Sequence, residues 1–420
     1  MKKIKNENRE KELIPPDNHE KDQDYIQMEQ KTWKSNINKL YLFQLASNFF
    51  LVTGVLVPFF IEWGKISFFE AMCIQSYFMI MILIFEIPCG AIADRTSRRF
   101  SLIIGGISGA FGAIIYSIYP SIINFLIGET FFAFSMASIS GTDQALMYDT
   151  LQKLDLKEEM SKKMGNAQTL RFIGIGLSAP IGSIVAEFIS LQMTMTLSMI
   201  PLLIGALIAI TIKEPNGKLK KEEKDNYYKI VKSGIMELKN NNKLRILGFE
   251  LILIESLVFF MIWAYQPHLE RLDVPVGFFG IIALIMTISQ VFFTKLLSYL
   301  EAKIKKKSEF IKSYTLTAGI LLILLAFMRL LPGTITLIVV ISGLGLSRNI
   351  LFINGINHQI ETNNRATVLS TINMFGSILN AIIHPLFALI LTWNHDAVYL
   401  LIGSIIILSV VLSRIKNEYL

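Results

Sequence analysis

The sequence predicts an all-α membrane protein: twelve transmembrane helices in two six-helix pseudo-repeat bundles, with the N and C termini cytoplasmic. Three observations carry this. Apolar residues make up 52% of the 420-residue chain and charged residues only 17%, well short of the roughly 25% charge of a soluble domain. The apolar residues are bunched into a dozen stretches of about 20, each long enough at ~1.5 Å per residue to cross a ~30 Å hydrocarbon core. A single long interior loop, 213–244, divides these stretches six and six. Intrinsic disorder, a disulfide-rich secreted module and a soluble nucleic-acid binder are thereby excluded.

Along the chain, residues 1–38 form a Lys/Glu/Asn-rich cytoplasmic tail with a Pro15-Pro16 break, expected to be mostly disordered. Its first residues are polar and charged, so no cleavable signal peptide is expected and the first span acts as the insertion signal. Spans follow at 39–61, 67–92, 100–119, 121–150, 167–189 and 191–212, making an N-terminal bundle over 39–212. The linker 213–244 opens with a solvated charge run from Lys213 to Asp225. Tyr228, Val231, Ile235 and Leu238 then share one helical face flanked by Lys229, Lys232 and Lys239, the pattern of a helix lying on the inner membrane surface. Such a segment is a tether joining the halves or a regulatory docking site. Spans at 245–268, 275–299, 310–331, 333–357, 366–392 and 396–415 make the C-terminal bundle, and 416–420 is a cytoplasmic tail.

The net charge of +7 follows topology. With alternate loops cytoplasmic, roughly 35 of the 40 Lys and Arg lie inside and about three outside, namely Lys65, Arg271 and Arg329. The basicity therefore orients the chain in the cell membrane and attracts anionic lipid, with no nucleic-acid partner implied. Cys73 and Cys89, sixteen residues apart on one helix, stand about 24 Å from each other and cannot bridge.

Between spans 2 and 3 the chain reads Gly90-Ala91-Ile92-Ala93-Asp94-Arg95-Thr96-Ser97-Arg98-Arg99. Glycine permits close helix approach, the acid sits at a helix end, and paired arginines hold the loop at the surface. This resembles the signature loop of the major facilitator superfamily, G-x-x-x-D-R-x-G-R-R, with Ser97 in place of the second glycine. The resemblance covers residues ~39–415. It implies alternating-access transport, a central cavity ringed by spans 1, 4, 7 and 10, and a gating latch between the two halves. On that resemblance Gly90, Asp94, Arg95, Arg98 and Asp149 form the gating cluster, with Glu86 in support; otherwise Arg98 and Arg99 are topology anchors. The patterns of proton-coupled drug exporters match poorly. Glu129 and Ala133 stand where an arginine and a glycine are usual, and Gly174, Ser178, Gly182 and Pro180 form a degenerate Gly-Pro run whose small face suits helix packing. Gly105, Gly109 and Gly112 on span 3 read as packing.

Ionised residues at mid-membrane cost about 2.5–3.5 kcal/mol on insertion scales, so they face a cavity or a partner. The set is Glu129 and Asp143 (span 4), Arg171 (span 5), Glu250 and Glu255 (span 7) and Arg348 (span 10). Glu129 and Asp143, fourteen residues apart, share a helical face with Met136 and Ser140. Glu129 or Glu255 is the expected carrier of a coupling proton, with Arg348 or Arg171 as counter-charge; static interhelical pairing is the alternative. Gln44 and Asn48 form a polar face on span 1. Asn373, Ser377, Asn380 and His384 form a stripe on span 11 that is either interhelical hydrogen bonding or the wall of a wet pathway. Trp63, Trp263 and Trp393 read as interface anchors, and His268 as a plain helix-end residue.

The expected function is secondary active transport of a small solute across the cytoplasmic membrane, coupled to protons or another ion. Export by antiport of amphipathic compounds is favoured over metabolite uptake or a non-transporting scaffold. Neither a nucleotide-binding loop nor a metalloenzyme or hydrolase motif occurs, so no enzyme, cofactor or metal is expected, and the unit is expected to be a monomer in the lipid bilayer.

Overall fold

The computed structural model describes residues 18–215, 227–301, 303–360 and 365–420, and their side chains apart from those of 18–27, 94, 227–231 and 366. Among the described residues twelve helices are long and apolar enough to span a membrane, and no strand occurs. In order they are Met28–Trp63, Phe68–Ala93, Arg98–Ile118, Ile122–Lys153, Lys157–Phe188, Leu191–Thr211, Asn242–Glu270, Val276–Glu301, Lys307–Phe327, Leu331–His358, Thr367–Trp393 and His395–Leu412, here spans 1 to 12. With an even number of spans, both ends of the described chain emerge on one side, the near end; the opposite side is the far end.

The helices begin where short polar side chains meet otherwise orphaned backbone N–H groups. Ser67 and Glu70 form a capping box at the start of span 2, and Ser97, Ser190, Asn241 and Asn394 cap spans 3, 6, 7 and 12. Eight spans are each one continuous α-helix, two of them entered through a 3-10 turn. Spans 1, 4, 7 and 10 are interrupted. Span 1 leaves the α-helix after Ser47 and finishes in 3-10, α and π turns up to Trp63. Span 4 breaks at Ser140-Gly141, where Gly141 takes φ 72°, a left-handed conformation that a β-carbon penalises. Span 7 is interrupted at Phe260 and span 10 at Arg348. The single helical face expected to join Glu129 to Asp143 is therefore broken, because Gly141 re-phases the helix between them.

Packing repeats between the bundles. Span 3 lies against spans 4 and 6, and span 9 correspondingly against spans 10 and 12. Span 3 presents Gly105, Gly106, Gly109 and Gly112, where an added β-carbon would press on spans 4 and 6. The bundles meet through span 2 on span 11 and span 5 on span 8. At the second crossing Gly280 lies directly on the Ala179 carbonyl, and its N–H donates to Ser183 Oγ at 2.7 Å. Gly182 is pressed as closely on the Leu51 carbonyl of span 1, so no side chain fits at either glycine.

One apolar core crosses the bundle boundary, and it lies in the far half: Val52, Phe59 and Phe60 of span 1 share it with Phe260, Ala264 and Tyr265 of span 7. At the near end the core is split. Ile37, Phe43, Leu102 and Leu151 pack within the N bundle, while Leu244, Leu297, Phe352 and Ile372 pack within the C bundle. Trp63 and Trp263 belong to the shared core, with Trp63 packed on Phe59 and Phe125, so neither is a free interface anchor; only Trp393 is strongly exposed.

Two expectations for the linker change. Lys213 and Glu214 are bound to the N bundle: the Asn36 side chain both donates to Lys213 O at 2.7 Å and accepts from Lys213 N at 3.0 Å. The linker helix Tyr227–Asn240 does not simply lie on the membrane, because its Gly234 is pressed against Thr371 of span 11 and its Leu238 reaches Gly248 of span 7. Gly234, outside the apolar face named from the sequence, is the docking point. The charge run beyond Pro215, like the tail before Asn18, lies outside the described residues.

Candidate functional site

Interrupting a helix inside a membrane frees backbone groups that lipid cannot satisfy. Here side chains from both bundles satisfy them. Leu51 N donates to Ser198 Oγ of span 6 at 2.9 Å, and Val57 N donates to Gln266 Oε1 of span 7 at 2.9 Å. Tyr265 OH reaches the Gly54 carbonyl at 3.4 Å. The Leu51 bond stays within the N bundle; the Val57 and Tyr265 bonds, with Gly277 N to Glu187 Oε2 and Gly280 N to Ser183 Oγ, cross between bundles, and all four lie in the far half. The molecule is closed at the far end and parted at the near end. Gln266 carried no sequence signal, since its partner is a backbone group exposed only by the distortion of span 1.

The parted side is lined by polar groups from the interrupted spans. In the N bundle, Gln44 donates to the Asp143 carboxylate. Asn48 donates to the Gln44 carbonyl oxygen at 2.9 Å, and Arg171 is the charged neighbour of Asp143. Spans 1, 4 and 5 thus converge on one satisfied cluster. In the C bundle, buried Arg348 lies between Glu250 and Glu255 as the charged neighbour of both. Its guanidinium stacks on the Phe352 ring at 4.2 Å and donates to the Glu250 carbonyl oxygen at 3.4 Å. Glu255 is half-buried beside Asn349. On span 11 the polar stripe is graded: Asn373 is exposed, Ser377 and Asn380 are half-buried and His384 is fully buried. Exposure therefore falls along the stripe from the near end towards the middle of span 11.

Glu129 stands apart from this lining. It is 5% exposed and accepts from Gln75 Nε2 at 2.6 Å and Tyr116 OH at 2.5 Å. Tyr116 in turn stacks on Phe125 at 5.2 Å. Spans 2, 3 and 4 enclose Glu129, so in this conformation its carboxylate meets interhelical partners in place of an open cavity. Gln75 and Tyr116 were invisible as partners, lying 54 and 13 residues away in sequence.

At the near end, Arg98 is paired with Asp149 and also donates to Ala145 O at 3.0 Å. Both belong to the N bundle, so this pair ties span 3 to span 4 and does not itself bridge the halves. Glu214, read from sequence as solvated, completes the cluster. It accepts from Ser97 Oγ at 2.5 Å, Arg98 N at 2.9 Å and Arg99 N at 3.1 Å, placing a carboxylate on the positive end of span 3. Arg95 is exposed, and the Asp94 side chain lies outside those described. Gly90 has open space where a β-carbon would stand, so the close approach expected there is absent in this conformation.

The family model of the Major Facilitator Superfamily matches residues 40–384. The chain belongs to the major facilitator superfamily. Its spans superpose on a point mutant of the nucleoside transporter NupG with TM-score 0.78 and 16% identity, covering 91% of this chain and 100% of that one. A D-xylose–proton symporter gives TM-score 0.68 and 13% identity, covering 93% and 99%. A bacterial homologue of the human lysosomal transporter Spinster, inward-facing and unoccupied, gives 0.69 and 14%, covering 93% and 96%. At such identities the likeness shows the fold alone. No curated protein sequence matches the chain. As a superfamily member this is a multi-pass membrane transporter, and secondary transport is its class of activity.

Proposed function

We propose that the transporter moves a small solute across the cytoplasmic membrane by alternating access, exchanging it for protons in the direction of export. The carrying observation is that the bundles share a core at the far end and part at the near end, with the polar lining on the parted side. The excess of Lys and Arg in near-end loops supports a cytoplasmic near end, and hence an inward-open conformation of a monomeric unit. Glu255 is the favoured proton carrier: it is half-buried about 20 Å along span 7 from Asn242, whereas Glu129 is sealed by its own partners. Gly90, Asp94, Arg95, Arg98 and Asp149 are the proposed gate, with Glu214 holding its loop.

The test is reconstitution into liposomes with an imposed pH gradient and a solute panel. Solute-dependent proton flux is expected from the native chain. Glu255→Gln is expected to retain solute counterflow and lose proton flux, and Asp94→Asn to lose both while staying in the membrane. Proton flux undiminished by Glu255→Gln would remove that residue from the coupling step, and no solute-dependent flux of either kind would remove the transport proposal.

A further inference from the structure

Resting on the alternating-access reading above, we infer that the segment after span 12, Ser413–Leu420, is a strap that holds the near half of span 10 on the C bundle and biases the transporter toward its near-open state. Read from sequence, residues 416–420 are a plain cytoplasmic tail. Here the chain leaves span 12 at Leu412 and folds back beneath the bundle. Its 3-10 turn Asn417–Tyr419 returns to the start of span 9, where Asn417 Oδ1 accepts from Ser308 N at 2.8 Å. Lys312 Nζ donates to Ser413 O at 3.1 Å, and Lys307 Nζ to Leu420 O at 3.2 Å. Ile415 and Tyr419 are buried and join Leu244, Leu247 and Ile356 in the near-end core. Lys243 Nζ of span 7 lies 5.7 Å from the centre of the Tyr419 ring. Asn417 thus repeats in the C bundle what Glu214 does in the N bundle: a polar side chain from beyond the last span caps span 9 as Glu214 caps span 3.

What the strap grips is a separate piece of helix. Span 10 is interrupted at Arg348, and Asn349–His358 forms its near segment beyond the break. Gly355 of this segment lies against the strap: a β-carbon there would stand 2.8 Å from the Tyr419 carbonyl oxygen. Just past the segment, Gln359 Nε2 donates to Glu418 O at 3.4 Å. On its other side the segment meets Leu247 of span 7, and Asn354 Nδ2 donates to Glu301 Oε2 of span 8 at 3.2 Å. Its own polar groups are poorly satisfied in this position, because Arg348 Nε, Asn349 Oδ1 and Asn357 Oδ1 are buried without a partner. Each is a cost borne in this conformation that a shift of the segment about Arg348 can relieve. The strap supplies the opposing term: a helix cap, a buried aromatic ring and bonded backbone acceptors. Closure of the near end, on this inference, carries the segment toward the N bundle and off Tyr419. The N bundle needs no strap, since Arg98 fixes the near segment of span 4 through Asp149 and Ala145 O. An element with two positions, and contacts made in only one of them, has its equilibrium set by those contacts.

The test places spin labels at Lys153→Cys and His358→Cys, exposed near-end positions on spans 4 and 10, in the full-length protein carrying Cys73→Ser and Cys89→Ala. Double electron–electron resonance in lipid nanodiscs then reads the ratio of near-open to near-closed molecules as a long and a short distance. Asn417→Ala removes one cap and is expected to lower that ratio about fivefold. Tyr419→Ala should lower it about tenfold or more. Gly355→Ala, which favours the helix itself, should act in the same direction by pushing the strap off. Tyr399→Phe loses the far-end bond to Ala264 O, loosens the C bundle away from the strap, and should leave the ratio unchanged. A ratio unmoved in Asn417→Ala, Tyr419→Ala and their combination overturns the inference even where the melting temperature falls, as does an equal shift in Tyr399→Phe. Counterflow by the native chain beside unmoved ratios sinks the strap alone. Shifted ratios without counterflow of any solute sink the transport reading alone.

Discussion

The N and C bundles repeat one packing scheme and one set of interrupted helices, yet they treat their buried polar groups in opposite ways. In the N bundle, Glu129 is held by Gln75 and Tyr116, Asp143 by Gln44, and Asp149 by Arg98. In the C bundle, Arg348, Asn349, Asn380 and His384 keep atoms without a partner, and all eleven such atoms among the described residues lie at Trp263 or beyond. An unpartnered buried polar atom costs roughly 1–3 kcal/mol, so the imbalance is a stability sacrifice confined to one half. The N bundle has its buried carboxylates partnered, whereas the C bundle carries the unpartnered atoms, from Trp263 and His268 at its far end to Asn357 at its near end. The contrast is consistent with a division of labour that neither the shared fold nor the pseudo-repeat requires.

The comparison can be broken in four places, taken from the largest expected effect downward. The bundles are one body only at the far end, so Gly280→Leu, which drives a side chain into the Ala179 carbonyl, should destabilise by about 3 kcal/mol or more and abolish transport. Thermal melting of purified protein reads this; an unchanged melting temperature would mean that the far-end contact is loose. Next, Glu129→Ala strands the Gln75 and Tyr116 donors and should cost about 2–3 kcal/mol, while Glu255→Ala should change stability by less than about 1 kcal/mol. Equal losses at the two sites would erase the contrast between the two bundles.

Smaller effects sharpen the picture at the near end. Arg98→Ala should lower stability by about 1–2 kcal/mol through the lost Asp149 pair, and Glu214→Ala by about 1 kcal/mol through the lost cap on span 3. Both are read by melting, and both should slow counterflow more than they lower solute affinity. The smallest effect is expected at Gly90. Gly90→Ala meets open space and should shift stability by less than about 0.5 kcal/mol in this conformation. A large loss of stability there would show that the near end is closed in the resting protein.

Much of the architecture was legible in residue order because it rests on local properties. Runs such as 191–212 are apolar enough to declare a span by themselves, and the linker stands out because charge accumulates where lipid is absent. Asp143, Arg348 and the stripe from Asn373 to His384 were legible as site candidates for the same reason, since a polar residue within an apolar run is conspicuous. Glu214 was not, because a carboxylate in a Lys-rich run looks solvated until span 3 is seen to end beneath it. Gly234 failed likewise: a glycine contributes nothing to an apolar face, yet it docks where a side chain would clash with Thr371.

By itself the sequence determined the number of spans, their division into two sets of six and the set of charges that must be accounted for within the membrane. These follow from hydrophobic burial and charge, which act on each stretch independently. Only the tertiary structure decided that Glu129 is enclosed by Gln75 and Tyr116 while Glu255 is half-buried beside Asn349, and that the bundles are joined at one end. It also decided that the unpartnered atoms collect in one half. Hydrogen-bond satisfaction depends on which side chains meet through space, and residues as far apart as Val57 and Gln266 meet only once both bundles have formed.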